Sequence, residues 1–283
     1  MKYLRTLLIV GRVSNLPTVW SNCLAGWLLG DGGDYDKFVL LCLGATCLYL
    51  GSMFLNDAFD ADFDRQRRRE RPIPSGAIGE TTVWYWGIGW LGLGTVVLVT
   101  LGRTTAVLAL LLGVTILVYD AVHKLIAFSP LLMAGCRFLL YLVAASISAE
   151  GVTGLVIWSA LVLGAYIVGL SYVALRESTN GPMQYWPCLL LAAPLVLAYV
   201  VNADAERSRA LALSALAWLW ILRCCRFMLR GPNRNLGRTV AGLLAGIVLI
   251  DLLAVAPEPY QVGLVFALLF GTALLLQRFV PAT

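Results

Sequence analysis

The sequence predicts an all-α bundle of membrane-spanning helices, nine or ten in number, and three observations carry the prediction. Of 283 residues, 60% are hydrophobic and only 13% charged, with a mean hydropathy of +0.82, whereas soluble domains carry roughly 25% charged residues. Apolar stretches near the ~20 residues needed to cross ~30 Å of hydrocarbon recur from end to end. Lys and Arg gather in alternate connections, as the positive-inside rule requires. A soluble fold is excluded.

Taken in order, the expected spans cover residues 6–30, 37–55, 82–102, 104–122, 128–148, 152–175, 185–202, 209–229, 236–255 and 259–278. The first contains Arg12, Asn15 and Pro17 and lacks a small-residue cleavage site, so it reads as a retained span rather than a removed signal peptide. In the third, Gly87, Gly89, Gly92 and Gly94 permit close helix approach. The fifth carries Arg137 and the ninth Asp251, ionisable groups that are expensive inside a membrane and are expected to face a partner or a cavity. For Asp251, nearer the opposite face, a structural or snorkelling role is expected. The seven cysteines fall mostly inside spans without CxxC or His-paired spacing and read as packing residues. No linker or internal repeat interrupts the pattern, which makes residues 1–283 one transmembrane domain.

The basic clusters assign the cytoplasmic side. They comprise Lys2 and Arg5, the arginines from Arg65 to Arg71, Lys124, and the group from Arg223 to Arg238. The opposite connections are mainly acidic, with Asp31, Asp34, Asp36, Glu150, Asp204 and Glu258. Juxtamembrane basic runs of this kind set topology or meet anionic lipid, so membrane lipid is an expected partner and nucleic acid is not.

The informative polar insertion follows the second span, in GSMFLNDAFDADFDRQRRRERPIPSG. On a helix turning ~100° per residue, Asn56, Asp57, Asp60 and Asp64 fall within an arc of about 100°, while Asp62 points elsewhere. One amide and three carboxylates on one stripe suit Mg²⁺, which takes one or two protein carboxylates, keeps waters and completes its shell with phosphate. The alternative is a solvated acidic helix end balanced by the arginines that follow. Pro72, Pro74 and Gly76 then make a defined loop, from which Arg68 and Arg71 could grip phosphate oxygens or simply anchor the loop at the cytoplasmic face. His123 is the only histidine, so a histidine-based metal site or a catalytic triad is not expected.

Asn56-Asp57-x-x-Asp60-x-x-x-Asp64 at a span end, followed by Arg71-Pro72-Ile73-Pro74-Ser75-Gly76, closely resembles the first signature of UbiA-type intramembrane prenyltransferases. The likeness extends to Tyr119 and Lys124 at the end of the fourth span, one residue further apart than usual, and to Arg-Val-Ser-Asn-Leu-Pro at residues 12 to 17. The resemblance implies a helical bundle that uses Mg²⁺ to bind an isoprenyl diphosphate and transfers the prenyl group to an aromatic or other lipophilic acceptor. It places Asn56, Asp57, Asp60 and Asp64 on the magnesium and diphosphate, and Tyr119 and Lys124 beside the diphosphate. Arg137 is expected to touch the diphosphate too, the alternative being an ion pair with Glu177 or Asp120. The active site would face the cytoplasm.

Where the family carries a second Asp-rich motif, after the sixth span, this chain reads Ser171 to Asn180 with Glu177 as its carboxylate. Glu177 and Asn180, three apart, would share a face and could keep one metal contact. With Tyr119-Asp120 and the stretch Met133 to Arg137, this pattern is similar to a UbiA-like subgroup for which transport or accessory roles have been suggested. Three functions therefore remain open: a prenyltransferase, a non-catalytic carrier of an isoprenoid or aromatic metabolite, and a terpene cyclase of the same fold.

Overall fold

The computed structural model describes residues 2–179, 185–196, 204–229 and 235–282, and every regular element among them is helical. The first expected span is in fact two helices, α1 (Lys2–Val10) and α2 (Leu16–Leu29), separated by a 3₁₀ turn at Val13–Asn15. The break sits at Arg12, whose backbone is left-handed with φ 40° and ψ 48°. Pro17 lies in the first turn of α2, where its missing N–H costs no helical hydrogen bond. Hydropathy runs straight through this break, which is why the sequence suggests one element.

Asp34 caps α3 (Tyr35–Phe59) by accepting from the backbone N–H of Asp36 at 2.8 Å. The chain then turns over Asp60 directly into the short α4 (Ala61–Arg67). Hydrogen bonds from Asp60 N to Asn56 O (3.0 Å) and from Asp64 N to Asp60 O (2.9 Å) keep nearly helical phase across the junction. A compact loop follows, tied by Ser75 N to Arg71 O at 3.0 Å and turned at Gly76 with φ 73°. It leads into α5 (Glu80–Val99), then α6 (Arg103–Val122), α7 (Ser129–Ala145) and α8 (Gly154–Thr179). A 3₁₀ segment Trp186–Ala192 precedes α9 (Asp204–Cys225), α10 (Leu236–Ala254) and α11 (Tyr260–Leu276).

Six of these helices, α3, α5, α6, α8, α9 and α10, are long and apolar enough to cross a membrane, and α7 and α11 are shorter apolar helices. The seventh expected span, 185–202, begins as the 3₁₀ segment and runs into residues outside the described set. The sequence boundaries otherwise agree with the helices to within a few residues.

Burial places α10 at the centre, 72% of its apolar window being enclosed against 22% for α5. Leu243, Ile247 and Val248 of α10 pack with Tyr141 of α7, Leu163 and Tyr166 of α8 and Phe266 of α11. A second apolar cluster joins Val19 of α2, Leu41 and Leu48 of α3, Leu112 of α6 and Val143 of α7.

Helices α3 and α5 meet along a seam of small residues. A Cβ on Gly51 would stand 2.6 Å from the backbone nitrogen of Leu91, and one on Gly94 would stand 2.7 Å from the carbonyl oxygen of Gly44. The backbones approach this closely only because neither position carries a side chain. Gly89 and Gly92, grouped with the seam by sequence, have open space around them. Gly51→Ala is expected to lower unfolding stability in detergent by about 1–3 kcal/mol through overpacking, whereas Gly92→Ala should not lower it. Equal losses in the two variants would show that the helices pack otherwise.

Candidate active site

Asn56 and Asp57 close the last turn of α3, Asp60 sits at the junction and Asp64 lies in α4; all four are buried, at most 6% exposed. Asp62, one position out of phase, has a side chain 91% exposed. The stripe expected from helical spacing therefore turns inward as a unit.

Acids this crowded repel one another and lose hydration, and each is met by a cation. Arg12 Nη2 donates to Asp57 Oδ1 at 2.9 Å and to Asn56 Oδ1 at 3.2 Å. Arg71 Nη1 donates to the same Asp57 oxygen at 2.9 Å, and its Nε lies 3.8 Å from Asp64 Oδ2. Lys124 Nζ stands 3.0 Å from Asp60 Oδ2, with His123 Nε2 at 3.3 Å from Asp60 Oδ1. Burial works to raise the Asp60 carboxyl, but the hydrogen bond from His123 and the charges of His123 and Lys124 outweigh it and hold the group below its ordinary range. Asp64 goes the other way: burial, aided by repulsion from Asp60 and Asp57, pushes it up despite Arg71 and Lys124. Its Oδ1 is buried without a hydrogen-bond partner.

The end of α6 supplies the opposite wall. Tyr119 and His123, one turn apart, stack with ring centroids 5.0 Å apart and planes at 23°. Lys124 also lies 3.6 Å from the centroid of the Phe63 ring. Asp120 faces Asn56 and accepts from its Nδ2 at 3.1 Å.

Part of this assembly borders a cavity of about 230 Å³. Arg12, Asn56, Asp60, Arg68, Arg71, Tyr119, His123 and Lys124 form its polar part; Met53, Met133, Ile167, Leu170, Val240, Leu244 and Ile247 form its apolar walls. Ser129 and Arg137 both line it, eight residues apart on α7, so it extends about 12 Å along that helix. Arg137 stands on the inner wall and donates to Thr18 O at 3.1 Å, Thr18 Oγ1 at 3.0 Å and Asn22 Oδ1 at 2.6 Å. Asn22 in turn donates to Asp251 Oδ2 at 2.7 Å, and Tyr141 OH to Asp251 Oδ1 at 2.6 Å.

The expected residues Asn56, Asp57, Asp60, Asp64, Arg68, Arg71, Tyr119 and Lys124 thus come together in one cluster, and all but Asp57 and Asp64 line one end of the cavity. Arg137 shares the cavity from further in. The alternative ion pair with Asp120 is not formed, because carbonyl, hydroxyl and amide oxygens of α2 take its donors. Asp251 is fully buried and hydrogen-bonded, so the snorkelling alternative falls and the structural one stands. Asn180 and the side chain of Glu177 lie outside the described residues. The described part of α8 presents Ile167, Leu170, Ser171, Ala174 and Leu175 to the cavity.

Sequence reasoning missed Arg12, His123 and Asp120 as members of the cluster. Signals existed: a cation inside the first apolar stretch, a histidine four residues after Tyr119, and an acid within the fourth span. Among the described residues no three His, Cys, Asp or Glu side chains are arranged to hold a metal by themselves. Two carboxylates, an amide oxygen and the orphaned Asp64 oxygen nonetheless match the hard-oxygen preference of Mg²⁺, which leaves part of its shell to water and phosphate.

Arg12→Met should cost about 2 kcal/mol of unfolding stability in detergent, since Asp57 loses one of two charged donors. Arg65→Met, at a solvent-exposed ion pair with Asp62 and Glu80, should leave the midpoint unmoved. A reversed order would mean that the buried cluster does not support the fold.

Comparison with known proteins agrees with this architecture. The chain is 39% identical over 118 residues to the chloroplastic chlorophyll synthase of Arabidopsis thaliana, covering 36% of this chain and 30% of that protein. It is 30% identical over 86 residues to the digeranylgeranylglyceryl phosphate synthase of Metallosphaera sedula, covering 30% of each. The matched segments thus span about a third of the length of these curated relatives. A UbiA homologue from Archaeoglobus fulgidus, solved bound to GPP and Mg²⁺, superposes with a TM-score of 0.67 at 17% identity, over 97% of this chain and 99% of that one. The apo structure of a UbiA homologue from Aeropyrum pernix gives 0.66 at 16% identity, over 86% and 96%. At these identities the structures speak for the fold alone. The family model for UbiA prenyltransferases matches residues 16–280, from the start of α2 to beyond α11, and the chain belongs to the UbiA prenyltransferase family.

Proposed function

We propose that this protein is a Mg²⁺-dependent membrane prenyltransferase that takes the prenyl group from an isoprenyl diphosphate and passes it to an aromatic or other lipophilic acceptor. The observation that carries the reading is the burial of Asn56, Asp57, Asp60 and Asp64 as one oxygen-bearing cluster, two of whose members, Asn56 and Asp60, line an apolar cavity together with phosphate-suited cations. Similarity to proteins named digeranylgeranylglyceryl phosphate synthase and chlorophyll synthase supports it.

Asp57, Asp60 and Asp64, with Asn56 Oδ1, would hold the metal. Bound there, Mg²⁺ would neutralise the diphosphate as its allylic C–O bond breaks. Arg68, Arg71 and Lys124 offer charge-assisted donors to the phosphate oxygens and stabilise the negative charge that collects on the leaving group. The Tyr119 ring, held by stacking on His123, lines the same space and can face the positive allylic carbon. Met133, Ile167, Leu170, Leu244 and Ile247 give the prenyl chain an apolar lining and keep water from that carbon. The acceptor forms the new bond to the allylic carbon and gives up a proton, and inorganic diphosphate departs. Arg137, on the inner wall, is assigned to the substrate cavity rather than to the metal. The positive charge of the loop that carries Arg68 and Arg71 supports a reading in which the mouth of the site faces the cytoplasm.

The carrier and cyclase alternatives gain nothing from the cavity. A carrier has no evident use for three buried carboxylates, whose cost must be met by four basic side chains.

Purified protein given Mg²⁺, labelled geranyl diphosphate and a membrane lipid extract should release diphosphate and incorporate label into a lipid. Asp60→Ala should lower the rate about 100-fold or more, on the scale of losing a principal electrostatic stabiliser, while Asp62→Asn stays near wild type. Activity surviving in Asp60→Ala refutes the assignment. Diphosphate release with a cyclised hydrocarbon would make the protein a cyclase, and binding without release a carrier.

A further inference from the structure

The geometry points to Asp120 as a positioning residue that fixes which end of the Asn56 side-chain amide faces the diphosphate cluster. Its consequence for substrate binding rests on the transferase reading; the pairing itself does not.

An asparagine amide has an oxygen end that accepts and a nitrogen end that donates, in nearly the same shape, so a half-turn exchanges them at little steric cost. At a site for a hard cation the exchange matters, because the nitrogen end offers no ligand. Two neighbours decide the matter for Asn56, and they agree. A guanidinium can only donate, and Arg12 Nη2 lies 3.2 Å from Oδ1. On the other side, Nδ2 donates to Asp120 Oδ1 at 3.1 Å. Oδ1 is thereby turned to the side of Arg12 and Asp57, where the cluster lies, and Nδ2 is turned toward α6.

The two restraints are not equivalent. Arg12 borders the cavity and is within reach of whatever binds there, whereas Asp120 is 2% exposed and does not line it. Of the two, only the Asp120 contact comes from a residue outside the cavity lining. Asp120 also sits at some cost: its Oδ2 is buried without a hydrogen-bond partner, a penalty that an apolar residue at this position would not carry. Its one hydrogen-bonded oxygen is the one that meets Asn56.

Aspartate at position 56 would have oxygen at both ends, so orientation would cease to matter. This gives a test that a merely structural role would not pass. In the Asn56 background, Asp120→Asn lets the facing amides pair in either sense, and it should weaken Mg²⁺-dependent binding of geranyl diphosphate about fivefold, with kcat at saturating Mg²⁺ little changed. In the Asn56→Asp background the same Asp120→Asn change removes a carboxylate–carboxylate contact and supplies an amide donor, so it should not weaken binding and is expected to strengthen it. An equal penalty in both backgrounds, or none in either, overturns the proposal. The pairing is checked without ligand from unfolding midpoints of Asn56→Leu, Asp120→Asn and the double variant. The double variant should lose no more than the worse single one. Additive losses, with normal binding by the wild type, overturn this proposal alone; a wild type that binds no geranyl diphosphate with Mg²⁺ overturns the transferase reading.

Discussion

Three carboxylates are held out of water within three helical turns of one another, and the surrounding architecture follows from what that requires. Unpaired, such groups would repel and would be too costly to bury. They are matched by Arg12 from the break between α1 and α2, by Arg71 from the loop after α4, and by His123 and Lys124 from the end of α6. Three separate parts of the chain must therefore reach the end of α3. The left-handed backbone at Arg12 is intelligible in this light: a residue with φ 40° is strained, and it persists where it delivers a guanidinium to two buried oxygens.

The bundle keeps this end rigid. The glycine seam brings α3 and α5 into backbone contact, so that the segment joining them, with its acids and arginines, is anchored at both ends. Deeper in, Arg137, Asn22, Asp251, Ser21 and Tyr141 form a chain of hydrogen bonds linking α2, α7 and α10. Within a membrane, polar groups persist when they satisfy one another. This chain ties three helices around the cavity and leaves its apolar walls to residues of α8 and α10.

The inward stripe of Asn56, Asp57, Asp60 and Asp64, with Asp62 outside, was legible because helical period alone sets it, and the chain kept that period even where α3 gives way to α4. The positions of the long apolar helices were legible for a similar reason, since hydropathy marks them directly. The first span was misread because a single left-handed residue leaves no mark on hydropathy. His123 and Asp120 escaped because their roles depend on contacts with residues some sixty positions away in sequence, which no local pattern encodes. For Arg137 the sequence called for a partner or a cavity, and the structure supplies both, the partners being an amide, a hydroxyl and a carbonyl of α2.

The scattered origin of the counter-charges bears on how the polypeptide is made. A chain emerges from the ribosome N-terminus first, so Arg12 is already present when Asp57 is translated, and Arg71 follows 14 residues later. Asp60 has no such provision nearby. Its partners belong to the far end of α6, two membrane crossings later, and until they emerge the newborn hairpin carries an acid without its match. Biogenesis of this site is thus a two-stage affair, in which one half can neutralise itself during insertion and the other must await a later helix.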